Sequence, residues 1–174
     1  DGGQLVTSSA VNATMKKIIT AYTSSKDATS DGWYFIASPL TTSTAPTAVG
    51  NLVAATLEDY DLYQLNPSTI KWENYKENAG NAAPDFNLEN GRGYLYANKE
   101  QKTLEFAGAI KPYSEESSAN QVSVSEGWNL IGNPFTCNVY ANCAFYKMNA
   151  TKTAVEAVSA YGSTPIAPCT GIVV

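Results

Sequence analysis

The apolar positions of this chain fall mostly two apart, in short stretches. Leu62-Tyr63-Gln64-Leu65-Asn66-Pro67 alternates apolar with polar and stops at Asn-Pro, and Lys71-Trp72-Glu73-Asn74-Tyr75 alternates again. A period of two puts successive side chains on opposite faces of a pleated strand. The short gap between Asn66 and Lys71 predicts a tight hairpin connection. Residues 32–39, Gly-Trp-Tyr-Phe-Ile-Ala-Ser-Pro, form an apolar run between a turn residue and a proline, which predicts another strand. Asn90-Gly91-Arg92-Gly93 has turn chemistry and reads as a hairpin turn feeding Tyr94-Leu95-Tyr96. Leu104-Glu105-Phe106 follows. Residues 114–120 read as an exposed loop, after which Val122, Val124 and Trp128 restart the alternation.

Helix signals are poor. The best candidate is 11–22, where Val11, Met15, Ile18, Ile19 and Tyr22 sit near helical spacing. The branched Cβ atoms of Val11, Thr14, Ile18, Ile19 and Thr20 favour a pleated surface, so a strand is predicted there. Residues 151–160, around Val155 and Val158, fit a short helix or a strand.

The strongest feature is self-similarity. Gly32-Trp33-Tyr34-Phe35-Ile36-Ala37-Ser38-Pro39-Leu40 matches Gly127-Trp128-Asn129-Leu130-Ile131-Gly132-Asn133-Pro134-Phe135. Ile19-Thr20-Ala21-Tyr22 matches Ile110-Lys111-Pro112-Tyr113, and Leu62-Tyr63-Gln64-Leu65-Asn66 matches Phe145-Tyr146-Lys147-Met148-Asn149. Gly93-Tyr94-Leu95-Tyr96 matches Gly171-Ile172-Val173-Val174. Four blocks in the same order predict a β unit present twice, over 11–103 and 104–174. The period is longer than that of solenoids or propellers. The expected fold is therefore all-β: an antiparallel β-sandwich or barrel built from two sequence-related halves within one domain spanning 1–174. The halves should share strands, because open edges invite aggregation.

Composition narrows the function classes. The chain has 174 residues, a net charge of −5 and no histidine. Absence of histidine removes Ser-His-Asp and Cys-His catalysis and every His-ligated metal site. The acidic balance argues against a nucleic-acid binder. No apolar run is long enough for a membrane-spanning helix. Charged residues make up only 16% of the chain, so Ser, Thr and Asn must supply the polar surface. Cys137, Cys143 and Cys169 include no CxxC pair; they read as small buried hydrophobes, with a Cys137–Cys143 bridge as the alternative. The opening Asp1-Gly2-Gly3 carries no basic or apolar leader, which is expected of a mature chain or a piece of a longer one.

GWYFIASPL, DYDLYQLN, KWENYK, NGRGYLYAN and LEFAG, followed by GWNLIGNPF, resemble a module of large secreted or cell-surface, adhesin-like proteins of gut Bacteroidetes. The resemblance covers residues 4–174. It implies an extracellular or outer-surface setting and an adhesive or accessory role. The partners it implies are neighbouring domains of a parent protein and a glycan or host surface. It implies no catalytic residues and no cofactor.

Several residues are candidates for chemistry. Trp33 and Trp128 sit at matched places in apolar runs and are expected to be core anchors, with sugar-stacking platforms as the alternative. Trp72 lacks an aromatic counterpart and has polar neighbours. Trp72, Tyr75, Glu73 and Asn74 are therefore the expected ligand-binding set, combining stacking with hydrogen bonds to hydroxyls; a cross-strand pair of Trp72 with Tyr63 is the alternative. Glu58-Asp59-Tyr60-Asp61 is too short in ligands for a calcium loop and reads as the solvated start of a strand. Glu73, Glu77, Asp85 and Glu89 offer carboxylates, but no spacing selects an acid–base pair. No metal site, cofactor or enzymatic activity is expected. The function expected is a non-catalytic extracellular structural or adhesion module, with a carbohydrate-binding module built on Trp72 and Tyr75 as the alternative.

Overall fold

A computed structural model describes residues 9, 11–23, 31–78, 86–111, 113 and 121–174. Ten strands follow one another: β1 (Val11–Ile19), β2 (Tyr34–Ala37), β3 (Tyr60–Asn66), β4 (Lys71–Asn74), β5 (Gly93–Asn98), β6 (Lys102–Ile110), β7 (Leu130–Gly132), β8 (Phe145–Met148), β9 (Val155–Val158) and β10 (Gly171–Val173). Three short 3₁₀ turns lie at Pro46–Ala48, Leu57–Asp59 and Tyr75–Asn78. The ambiguous 151–160 stretch resolves as strand β9. The branched residues of 11–19 do form a strand, ending at Ile19 because the next residues leave the ladder.

Among the described residues the strands pair antiparallel in three sheets, and none closes into a barrel. β1 pairs with β6 alone; the other two sheets run β2-β5-β3-β4 and β7-β10-β8-β9. Both four-stranded sheets have one order: the first strand in the chain, then the fourth, second and third. Their registers agree as well. Ile36 lies opposite Tyr94 and Ile131 opposite Ile172; Leu65 lies opposite Trp72 and Met148 opposite Val155. In the β1–β6 pair, Met15 lies opposite Phe106, and Val11 and Ile19 face Ile110 and Lys102 at the two ends.

The sheets are joined by reciprocal bonds. Ala37 N donates to Cys169 O at 3.2 Å, and Gly132 N donates to Gly91 O at 2.9 Å. Ile36 bridges to Thr170, and Ile131 bridges to Arg92. Gly91 and Cys169 both hold positive φ, 83° and 55°, so the chain turns out of its own sheet to reach the other. The Asn90-Gly91-Arg92-Gly93 turn therefore links two sheets and does not close the expected hairpin. Gly93 and Gly171 stand where the sheets touch: a Cβ would lie 2.8 Å from Ile131 O at the first and 3.2 Å from Ile36 O at the second.

The largest core cluster lies between the first sheet and the β1–β6 pair, around Ile36, Leu62, Tyr94, Tyr96, Phe106 and Ile110. A smaller one holds Phe145, Val158, Ile166 and Ile172. A third joins the two sheets, with Phe35, Leu65 and Leu95 meeting Leu130, Met148 and Val173. These six residues are the apolar side chains that alternation turns away from the other two clusters.

Three expectations need correction. Trp33 is half-buried and Trp128 is 50% exposed, so neither is a core anchor. Each follows a glycine of positive φ and precedes its strand, so its ring lies at the rim of the sheet. Residues 121–129 form no strand up to Trp128, because Asn129 folds back to accept a bond from Ser125 N and to donate to Ser125 O and Gly127 O. All three cysteines are free, and Cys143 is exposed while Cys137 and Cys169 are buried. The 114–120 stretch lies outside the described residues.

Candidate functional site

Three aromatic rings form a row on the first sheet, with Trp72 exposed and Trp33 and Tyr63 half-buried. Trp33 precedes β2, Tyr63 lies in β3 and Trp72 in β4. The Trp33 and Tyr63 ring centroids are 6.1 Å apart at 52°, and those of Tyr63 and Trp72 are 6.5 Å apart at 81°. Trp72 is 45% exposed. It sits opposite Leu65 in the ladder, so its ring leans diagonally across to Tyr63, within reach for long side chains. The row borders the apolar cluster that joins the sheets. On the second sheet, Trp128 and Tyr146 make the matching pair at 5.5 Å and 59°, with Val155 at the register position of Trp72.

The four residues expected to bind ligand are not gathered on one face. Trp72 faces outward. Tyr75 starts a 3₁₀ turn, meets Phe86 edge to face at 5.5 Å and packs on the main core. Glu73 accepts bonds from Gln64 Nε2 and from Asn66 Nδ2, the latter at 2.8 Å, so both its oxygens are engaged. Asn74 is buried, donates to Asp61 Oδ1 at 3.3 Å and accepts from Lys76 N at 2.9 Å. The polar groups beside Trp72 thus hold the hairpin together. The alternative reading, a cross-strand pair of Trp72 with Tyr63, is what the structure shows, and Trp33 is the further partner that the sequence did not group with them. The signal for the pair was there: residues 63 and 65 share one face of β3, and the register puts 72 on that face.

The acidic run is only partly solvated. Asp61 is buried against Lys76, whose Nζ also donates to Leu57 O at 2.7 Å and lies 5.4 Å from the Tyr60 ring centre. Asp59 pairs with Lys99 at 3.3 Å. Glu89 accepts a bond from Ser43 Oγ, and Asp85 lies outside the described residues. Among the described residues no three acidic or cysteine side chains converge as a metal-binding group. No helix among them is long and apolar enough to cross a membrane.

Aromatic rings of this kind carry electron density on their faces, which attracts the polarised C–H bonds of a sugar ring. Two cavities of about 450 and 390 Å³ flank the junction of the sheets, and among the described residues Glu156 is the one carboxylate lining either. No family model, curated protein or solved structure matches this chain.

Proposed function

We propose that this chain is a non-catalytic extracellular adhesion module of a bacterial surface or secreted protein, and that it contacts a glycan through the row Trp33, Tyr63 and Trp72. The reading is supported first by the exposure of Trp72, which stacks on Tyr63 while keeping much of its ring open. A single exposed ring is ordinary, but adjacent rings that make one contiguous patch are the kind of surface that marks an interaction site. The resemblance to adhesin-like modules of gut Bacteroidetes supports the setting, and with it the parent protein's neighbouring domains as further partners. The matched order and register of the two sheets support a duplicated unit with halves over 11–103 and 104–174.

A glycan array probed with wild type and Trp72→Ala tests the contact. Wild type is expected to bind at least one polysaccharide class, and Trp72→Ala to lose tenfold or more of that affinity, equivalent to about 1.4 kcal/mol. Tyr75→Phe should bind as wild type does, since that ring packs inward. Silence on every polysaccharide, or binding indifferent to Trp72, defeats the glycan reading.

A further inference from the structure

The cavity of about 390 Å³ beside β1 has the make-up of a small-molecule site: largely apolar walls with a few converging polar groups. Phe35, Phe145 and Ile172 form buried apolar wall. Lys17, Lys147 and Lys152 bring three ammonium groups to it, in a chain whose net charge is −5. Glu156 pairs with Lys147 at 3.3 Å. Among the described residues neither Lys17 nor Lys152 has a carboxylate in salt-bridge range. Lys17 Nζ donates to Thr170 Oγ1 at 2.9 Å. Lys152 Nζ donates to Asn149 O at 2.9 Å and lies 5.5 Å from the Tyr34 ring centre.

The position of Lys17 is unusual for its chemistry. Ala13, Met15, Lys17 and Ile19 share the inward face of β1, so a cation occupies a core-facing place in an apolar series. An ammonium taken out of water without a counter-ion is costly. Burial pushes the Lys17 amine down to about 8; Lys152 acts in the same direction and Cys169 against it. An anion brought by a ligand would relieve that cost.

We propose that this cavity binds a small organic carboxylate, its charged end between Lys17 and Lys152 with Thr170 beside it, and its apolar body against Phe35, Phe145 and Ile172. Two ammonium groups offer donors to both carboxylate oxygens, and charge-assisted bonds of that kind are the strong ones. The apolar wall distinguishes such a ligand from a bare inorganic anion.

The test is an amide-resolved NMR titration of the whole chain with phenylacetate. Neutral phenylacetamide and inorganic phosphate are the comparison ligands. Phenylacetate is expected to shift the amides of Thr170 and Ile172, with phenylacetamide and phosphate each at least tenfold weaker. Lys17→Met, which keeps the stem, and Lys152→Asn, which suits the left-handed φ of 61° there, should each weaken phenylacetate tenfold or more. Binding should also fall between pH 7 and 9.5 as Lys17 loses its proton, with Lys147, Lys152, Glu156, Cys169 and Tyr34 the other titratable groups facing it. If Lys17→Met does not fold, Lys152→Asn on the exposed turn decides alone. No shift up to about 10 mM phenylacetate, a concentration that would largely fill a site of about millimolar Kd, overturns the proposal. Equal binding of phenylacetamide or phosphate, or indifference to both lysine variants, overturns it too. The inward charge would then serve only to keep β1 from pairing with other strands.

Discussion

Tyr94 and Tyr96 carry the polar bonds of the main core. Tyr94 Oη donates to Asn87 O at 2.9 Å and accepts from Glu89 N at 2.8 Å. Tyr96 Oη donates to Leu52 O at 2.9 Å and accepts from Asn98 Nδ2 at 2.9 Å. Burial pushes both hydroxyls up to about 12 from an ordinary value of 10. Below pH 10 both are protonated in the folded and unfolded chain, and their contribution is intact. Above it the unfolded chain releases protons that the folded one holds, so stability falls until about pH 12, by about 2 to 3 kcal/mol for each tyrosine. Cys169, pushed to about 11 by its burial, adds to that fall from nearer pH 9. Lys17 acts in the opposite sense: its contribution is full above 10.5 and lost as pH falls through about 8. Urea midpoints measured from pH 9 to 12 should therefore drop steeply above about 10.5. A Tyr94→Phe, Tyr96→Phe double variant should start less stable and drop less. A flat profile in wild type would contradict the assignment. At this scale the sequence was misleading where apolar neighbours surrounded a side chain: Trp33 and Trp128 looked buried because no local pattern shows that a glycine turn places them ahead of their strands.

The elements were more legible than the residues. Strands β2 to β5 and the β3–β4 hairpin follow from short apolar or alternating runs bounded by turn residues, although β2, β3 and β5 turn out to bury side chains on both faces. Residues 121–129 alternate without forming a strand, because a side-chain amide at Asn129 replaces the ladder bonds, and no periodicity reveals that. The Trp72–Tyr63 pair was legible from the β3–β4 hairpin, whereas Trp33's place in the row required the sheet order, with β5 between β2 and β3, which sequence spacing does not set. The glycines at the junction offer the sharpest test of how the sheets meet. A Cβ on Gly132 would lie 2.4 Å from Ala37 Cβ and 2.6 Å from Arg92 O. Gly132→Ala should cost about 3 kcal/mol or more, beyond the usual range for one excess methyl, because backbone must shift. Gly162→Ala, with nothing within 4 Å, should change stability by less than about 0.5 kcal/mol. Chemical denaturation of the two variants side by side measures the difference; equal stabilities would refute the close approach.

On the scale of the whole molecule, the cluster of Phe35, Leu65 and Leu95 with Leu130, Met148 and Val173 makes each sheet the cover of the other. The second sheet alone has strands of three or four residues and a small core of its own. Cores of that size rarely hold a domain together unaided. Two fragments divided between β5 and β6, 1–101 and 102–174, should each lack a cooperative melt by circular dichroism. Mixed, they should recover one and elute together on size exclusion. A cooperative, monomeric 102–174 fragment would show that the halves are independent. The all-β class was legible because branched and aromatic residues at period two leave little else possible. The way the sheets are joined was not, because it depends on β1 pairing with β6, which lies far along the chain.

β5 lies between β2 and β3, and β10 lies between β7 and β8, although each is the last strand of its sheet to leave the ribosome. Strands that arrive earlier in synthesis lack that central neighbour until it is made, and pairings between distant segments of this kind are intrinsically slow to form. Until then the gap will accept any strand of suitable shape, including the same segment of a neighbouring chain. Dilute conditions should thus favour correct refolding, and crowding should yield molecules that have exchanged their final strands.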